Sequence, residues 1–300
     1  MNVGHPLPVP ASLAGVSANT ATALMATSIA PRMKRLDKHN ADVGGDIQKD
    51  CIRSLRDGFG HVVAFNFTEE IDGLRPVHDG VEWVDVGSRD QCQFARPMVD
   101  FRHVWADFKE RDAPVFGVAN SDVFIGDDPA YAAHVIRHAR EGLVCFNRSE
   151  VGNLADRFGP AYSTGFDLFV FGRRVLEAVN LDGLAFGVPW WDYALPVMAA
   201  QAGIPIFRGD PGFVRHYSHD VAWSQDDWLS GLRTYMGHLR AQADALPYPS
   251  PLVEQMARIV QQFANEGTLQ PLYGTDHIYK FGTMFAFWNV GVVNDAAITI

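Results

Sequence analysis

Short apolar runs alternate with helical segments along much of the chain, and this rhythm is the feature that most constrains its fold. Strand-like runs occupy residues 24–30, 61–67, 82–86, 114–122, 141–150 and 204–209, and helical spacing of apolar residues marks 44–57, 97–110 and 129–140. Strands that alternate with helices in this way form βαβ units, whose strands are parallel. The sequence therefore predicts an α/β fold with a mainly parallel sheet.

The same pattern divides the 300 residues into three segments. Residues 1–21 are rich in Pro, Ser and Ala and predict a flexible tail, and residues 22–225 predict a single α/β domain. Residues 226–300 predict a mainly helical C-terminal extension that ends in an aromatic cluster of Tyr279, Phe281, Phe285, Phe287 and Trp288. So many aromatic residues require burial, either by folding back beside the α/β domain or in a homodimer.

Composition excludes several classes of function. A formal net charge of −10 argues against binding of nucleic acid through phosphate neutralisation. Three widely spaced cysteines predict no disulfide framework and a cytoplasmic protein. The N-terminus has no secretory signature, and no apolar stretch reaches the ~18 residues of a membrane span.

The first motif is the polar interruption in VFGVANSDVFIGDD, residues 115–128. Asn120, Ser121 and Asp122 follow an apolar strand, and ligands of open α/β sheets bind at the carboxyl ends of strands. A carboxylate there suits a hard divalent cation that bridges nucleotide phosphates. The alternative is that Asp122 caps a turn or the helix that begins near Pro129.

The second motif is FGVPWWDYALP, residues 186–196. Trp190 and Trp191, with Tyr193 beside them, offer flat surfaces that would hold an acceptor sugar. Asp192 would deprotonate or bind the acceptor hydroxyl. The alternative is that both indoles fill the core and that Asp192 caps a helix.

The third motif, RHYSHDVAWSQ, spans residues 215–225. His216 and His219 would ligate a metal through nitrogen or hydrogen-bond a phosphate, and each is equally compatible with a structural role. Their spacing does not choose between them.

In chain order, these three motifs resemble the GT-A fold glycosyltransferases, which use one Rossmann-like nucleotide-binding domain. The resemblance implies that NSD stands for the Asp-x-Asp motif of that family, with Asn120 in place of the first acid. It further implies that Asp122, His216 and His219 hold Mn²⁺ or Mg²⁺. Asp192 would then be the catalytic base of an inverting enzyme, or would bind acceptor or donor in a retaining one.

The opening of the chain is similar to the first strand, helix and second strand of bacterial sugar transferases. This similarity implies that Thr27 and Ser28 lie beside the base and ribose of the donor. It also implies that Asn66 belongs to the donor site, together with Asn120 and Ser121, and that Arg96 contacts the diphosphate.

These observations predict a glycosyltransferase that moves a sugar from a UDP- or GDP-sugar to a hydroxyl of a glycan or a small molecule. One alternative is a catalytically silent sugar- or nucleotide-binding protein, which the Asn120 substitution would allow. Another is a sugar-phosphate nucleotidylyltransferase, but TSIAPRMKRLD contains the basic residues of such an enzyme and none of its glycines.

Overall fold

The computed structural model describes residues 22–36, 39–92, 94, 96–153, 156, 159–162, 165–217, 223–245, 254, 289 and 291–300. The predicted N-terminal tail, His219 and the aromatic cluster of residues 279–288 lie outside the described residues.

The described residues contain both strands and helices of the predicted α/β pattern. The strands are β1 (Ala23–Thr27), β2 (Gly60–Asn66), β3 (Val81–Asp85), β4 (Val115–Ala119), β5 (Val123–Ile125), β6 (Leu143–Phe146), β7 (Arg148–Val151), β8 (Ala161–Tyr162), β9 (Leu168–Gly172), β10 (Ile206–Arg208), β11 (Val214–Tyr217) and β12 (Ala297–Thr299). The α-helices are α1 (Gly44–Phe59), α2 (Thr68–Leu74), α3 (Phe101–Glu110), α4 (Pro129–Ala139), α5 (Arg173–Ala178), α6 (Trp191–Gln201) and α7 (Gln225–Asp244).

An eight-stranded sheet in the order β12-β10-β6-β9-β4-β1-β2-β3 forms the centre of the fold. Its strand pairs are parallel except those of β9, which runs antiparallel to both β4 and β6. The predicted α/β class with a mainly parallel sheet is therefore confirmed. The chain passes from β1 outward to β3 and then returns to β4 on the other side of β1, which makes the β1/β4 boundary a topological switch point.

A smaller sheet in the order β5-β11-β7-β8 lies after this switch point in the chain. Strand β5 begins only four residues after β4 ends, so the NSD motif links the two sheets. Strand β11 pairs antiparallel with β5 and parallel with β7, and the register puts His216 opposite both Val123 and Glu150. The small sheet therefore carries polar residues from distant parts of the chain to the end of β4.

Strand β1 shows how the main sheet is buried on both faces. Leu24 and Ala26 belong to the apolar core on one face, whereas Ala23 and Met25 belong to the core on the other. Helices α3, α5, α6 and α7 contribute to the first core, and α1 and α4 to the second. A strand covered on both faces reads as a continuous apolar run, as β1 and β4 do.

The first part of the predicted helical extension does form a helix, α7, which packs on α6. The last strand differs from the prediction of a mainly helical extension, because β12 pairs parallel with β10 and joins the main sheet. β12 covers the edge of β10 and is itself the edge strand of the sheet. Among the described helices, none combines the length and the apolar character needed to cross a bilayer.

Candidate functional site

A cavity of about 660 Å³ lies at the switch point, a size typical of small-molecule sites. Its wall contains residues that follow β1 (28–35), residues that follow β4 (120–122) and residues from the start of α6. Residues 165–167 are in the same wall because β9 is antiparallel, so that its beginning lies at the edge where its neighbours end. The topology thus gathers four separate chain segments around one space.

The segment after β1 brings positive charge to this cavity. Arg32 and Lys34 line the wall, are exposed, and form no ion pair with any described residue. Arg35 is more enclosed, and its guanidinium lies 3.7 Å from the Asp122 carboxylate. Two exposed cations at a cavity mouth favour binding of an anionic group such as a phosphate.

Asp122 lies in the cavity wall, where the sequence pattern placed it, and the alternative of a helix cap is wrong for this residue. The cap of α4 is Asp128, whose carboxylate accepts a hydrogen bond from the backbone N–H of Tyr131. Asp122 instead contacts His216, with 3.4 Å between Oδ2 and Nε2. Only 19% of the Asp122 side chain is exposed, so it is a partly enclosed carboxylate in an open site.

His216 lies between two carboxylates. Its Nε2 faces Asp122, and its Nδ1 lies 3.1 Å from Glu150 Oε2. Burial would lower the pKa of His216, but the bonds to Asp122 and Glu150 outweigh burial and raise this pKa to about 9. His216 is therefore an imidazolium at neutral pH that holds both carboxylates in place.

A second polar cluster joins Asn120, Asp167 and Arg148. The side-chain amide of Asn120 donates to Asp167 Oδ1 at 2.8 Å, and Arg148 donates to Asp167 Oδ2 at 2.6 Å. Arg148 also donates to Glu150 at 2.6 Å, which connects this cluster to His216. An aspartate at position 120 would set two carboxylates against each other, and this explains the amide at that position.

Asp192 lies in the first turn of α6 and faces the cavity. Its carboxylate accepts a hydrogen bond from the backbone N–H of Trp190 at 3.2 Å. The N-cap residue of α6 is Trp190, not Asp192, so the capping alternative is wrong for Asp192. Burial, and next the negative charge of Asp167, raise the pKa of Asp192 to about 7. A carboxyl group with this pKa exchanges its proton near neutral pH, as a general base must.

The prediction that Trp190 and Trp191 form a platform for an acceptor sugar is wrong. Both indoles touch the cavity wall but expose only 1% and 3%, because they pack in the apolar core. The Trp190 N–H donates to the Trp228 carbonyl at 2.9 Å, and the Trp191 ring lies 4.9 Å from that of Phe101. Buried faces offer no surface to a ligand ring, so these indoles support the site from behind.

Trp190 has a backbone φ of +91°, which is unusual for a residue with a Cβ. Such a conformation costs about 1–3 kcal/mol and persists only where packing imposes it. The buried indole provides that packing, and the turn it makes directs Asp192 towards the cavity. Tyr193, also predicted as an acceptor residue, lines the cavity but is 8% exposed.

Three of the predicted donor residues do not reach the cavity wall: Thr27, Asn66 and Arg96. Thr27 is fully buried, and its hydroxyl has no hydrogen-bond partner among the described residues. Asn66 is also fully buried, where its side chain donates to the carbonyl of Ile29 and accepts from the backbone N–H of the same residue. Asn66 therefore fixes the turn after β1 rather than binding a ligand. Ser28, by contrast, lines the cavity.

Arg96 lies outside the cavity wall. Its guanidinium pairs at 3.0 Å with Asp227, which forms the capping box at the start of α7 together with Ser224. This contact ties the segment before α3 to α7 and leaves the predicted role in diphosphate binding without a geometric basis. Ser121 does line the cavity, and its hydroxyl lies 3.4 Å from the amide of Gln48.

The predicted metal site is incomplete within the described residues. Asp122 and His216 form a pair, His219 lies outside the described range, and no described group of three His, Cys, Asp or Glu side chains is arranged to hold an ion. The residues described do not fit a protein-bound Mn²⁺ or Mg²⁺ site, and we assign no chemical step to one.

The structure adds residues that the sequence motifs did not single out. They are Arg148, Glu150, Tyr162 and Asp167, together with the basic residues 32, 34 and 35. The run of basic residues after the first strand could have been recognised in the sequence as a candidate anion-binding segment. No sequence pattern marks the other residues as part of a site. Their roles depend on strand register in the small sheet and on the antiparallel direction of β9.

Neither a protein-family model nor a curated protein sequence matches this chain. Among solved structures it is similar to 4-diphosphocytidyl-2C-methyl-D-erythritol synthase of Anaerococcus prevotii, with 9% identity and a TM-score of 0.39 over 71% of this chain and 96% of that one. It is also similar to the inositol-1-phosphate CTP transferase of T. maritima, with 13% identity and a TM-score of 0.38 over 71% and 96%. A third similar structure is a Mycobacterium tuberculosis protein in complex with manganese, with 12% identity and a TM-score of 0.37 over 71% of this chain and 97% of that one. Similarities this low assign neither a family nor an activity to this chain.

Proposed function

We propose that this protein is a glycosyltransferase that binds a nucleoside-diphosphate sugar in the switch-point cavity and transfers its sugar to a hydroxyl group. The observation that carries the proposal is that the cavity combines exposed cations at one wall with Asp192 at another. A hydroxyl acceptor must lose a proton during transfer, and a carboxylate whose pKa is about 7 suits that task.

The step makes one bond and breaks one bond at the anomeric carbon, and it moves one proton from the acceptor hydroxyl to Asp192. Asp192 takes the proton of the acceptor hydroxyl, and the acceptor oxygen bonds to the anomeric carbon of the donor. The bond from that carbon to the diphosphate oxygen breaks, and the nucleoside diphosphate leaves with the electron pair. Arg32 and Lys34 would neutralise the charge that develops on this leaving group. A base on the acceptor side corresponds to inversion at the anomeric carbon.

Binding of the donor tests the phosphate assignment directly. We would titrate the full chain with UDP-glucose and GDP-mannose by calorimetry and repeat the titration with an Arg32→Ala/Lys34→Ala variant. Loss of two charged contacts to phosphate should weaken binding by about ten-fold or more. The matched control is Lys49→Ala/Arg53→Ala, which removes the same charges from the exposed side of α1, where both residues form i,i+3 pairs.

Turnover then tests the reaction. Release of UDP or GDP from a nucleotide sugar, with loss of release in Asp192→Asn, would support glycosyl transfer. Binding of neither nucleotide sugar, or equal weakening by the α1 control, would contradict the proposal. Nucleotide binding without any turnover would indicate the silent binding protein instead.

Nucleotidyl transfer is the second candidate, and the basic segment that directly follows β1 favours it. A phosphate nucleophile is already ionised and needs no base, so Asp192 would be dispensable in that reaction. Incubation with a nucleoside triphosphate and a sugar phosphate distinguishes the two reactions, because nucleotidyl transfer releases pyrophosphate.

A further inference from the structure

Tyr162 differs from the other aromatic residues of the cavity wall. Most of the aromatic side chains there are buried, among them Phe166, Trp190 and Trp191, whereas Tyr162 is exposed to 38%. It lies on β8, the edge strand of the small sheet, and it lines the cavity. An exposed ring in a site combines a flat apolar surface with a polar tip, which is the chemistry that holds ring-shaped polar ligands.

The ring of Tyr162 is held by a charged neighbour. The Arg148 guanidinium lies over it, 4.2 Å from its centroid. Arg148 is itself held by hydrogen bonds of 2.6 Å to both Glu150 and Asp167, so it forms a rigid backing for one face of the ring. A ring that is already fixed loses little conformational entropy when a ligand packs against its other face.

Gly165 brings this ring close to Asp192. A Cβ at position 165 would lie 2.9 Å from Cε1 of Tyr162 and 3.3 Å from Oδ2 of Asp192. The edge of the ring and the carboxylate therefore border the same small space, which only a residue without a side chain leaves open. A sugar ring resting on Tyr162 would present its rim of hydroxyl groups to Asp192.

We propose that Tyr162 is the acceptor platform of this site and that it binds the C–H face of an uncharged pyranose. The cation over the ring, Arg148, is already bonded to both Glu150 and Asp167, and the nearby carboxyl group of Asp192 disfavours a phosphorylated acceptor. The basic residues of the donor side come from the loop after β1, a different wall of the cavity. This inference rests on the proposed glycosyl transfer and adds the chemical class of the acceptor.

The test measures binding of simple glycosides, without requiring transfer. Saturation-transfer NMR would be recorded with methyl glucoside, methyl galactoside and methyl mannoside on the full chain in the presence of UDP. Tyr162→Phe keeps the ring and should keep binding. Tyr162→Ala should weaken it by about three- to ten-fold, the range expected for contacts of a single aromatic ring. UDP affinity should be the same in all three proteins.

Phe124→Ala is the matched control, because Arg215 lies over the Phe124 ring at 4.5 Å in the same small sheet, away from the cavity wall. Equal binding by wild type and Tyr162→Ala, or equal loss in Phe124→Ala, would overturn the platform. So would a wild-type protein that binds UDP and none of the glycosides, or one that prefers the corresponding sugar phosphates. Failure to bind UDP would instead count against the proposed donor site.

Discussion

Replacement of Asp192 by Asn should abolish activity and at the same time stabilise the protein. In the folded chain, burial and the charge of Asp167 raise the pKa of Asp192 from 3.8 to about 7. A folded pKa above the unfolded one means that the protonated carboxyl favours the fold. That contribution is complete below pH 3.8 and is lost as the pH rises to about 7. Asn imitates the uncharged form at every pH.

The magnitude follows from the same shift. A change of this size corresponds to at most about 4 kcal/mol, since one pKa unit is 1.36 kcal/mol. The free energy of unfolding of Asp192→Asn should therefore rise relative to wild type by about 2–4 kcal/mol between pH 4 and pH 8. Urea denaturation of both proteins across this range measures the difference. Asp112→Asn, a change at an exposed site, is the control and should show no such trend.

Activity supplies the second half of the assay. Loss of a general base lowers kcat by about 10²–10⁴-fold. In wild type, the rate should rise with pH up to about 7 and then level off, because only the ionised carboxylate accepts a proton. Asp167→Asn should move that inflection to lower pH. An unchanged rate in Asp192→Asn, or a stability difference that is flat with pH, would refute the assignment of Asp192 as a base with a raised pKa.

Three further changes test other parts of the site. Gly165→Ala should reduce transfer far more than nucleotide binding, because its Cβ would meet Tyr162 and Asp192; equal loss of both, measured by calorimetry and turnover, would contradict this. Trp190→Ala should lower the free energy of unfolding by about 3–5 kcal/mol, as measured in urea, because the indole is a core residue. Arg96→Ala should leave donor affinity unchanged in titration, since Arg96 pairs with Asp227; a ten-fold loss would restore it as a phosphate ligand.

Much of the fold was predictable because it depends on local pattern. Apolar runs such as β1 and β4 are buried on both faces of a parallel sheet, and helical segments must lie between parallel strands. Parallel strands also end at one edge, so polar residues after them converge there. This is why Asp122 and Ser28 were expected in a ligand cavity and are found in its wall.

The misplaced residues share a physical cause. A tryptophan in the sequence does not reveal whether its ring faces a ligand or the core. The burial of Trp190 and Trp191 depends on contacts with Trp228 and Phe101, which are far away in the chain. Arg96 likewise becomes a structural residue only because α7 brings Asp227 against it. Residue type and spacing indicate which groups are available, and they contain no record of long-range partners.

The chain alone therefore determined the α/β class, the edge of the sheet where the cavity lies, and several residues at that edge. Tertiary structure decided the chemistry. His216 is charged because the register of β5, β11 and β7 sets it between Asp122 and Glu150, residues on separate strands. The pKa of Asp192 is raised first because the fold buries its carboxyl group, and second because the antiparallel strand β9 begins next to Asp167, whose charge then lies nearby. Charge and proton affinity depend on distance and burial, and only the folded chain sets both.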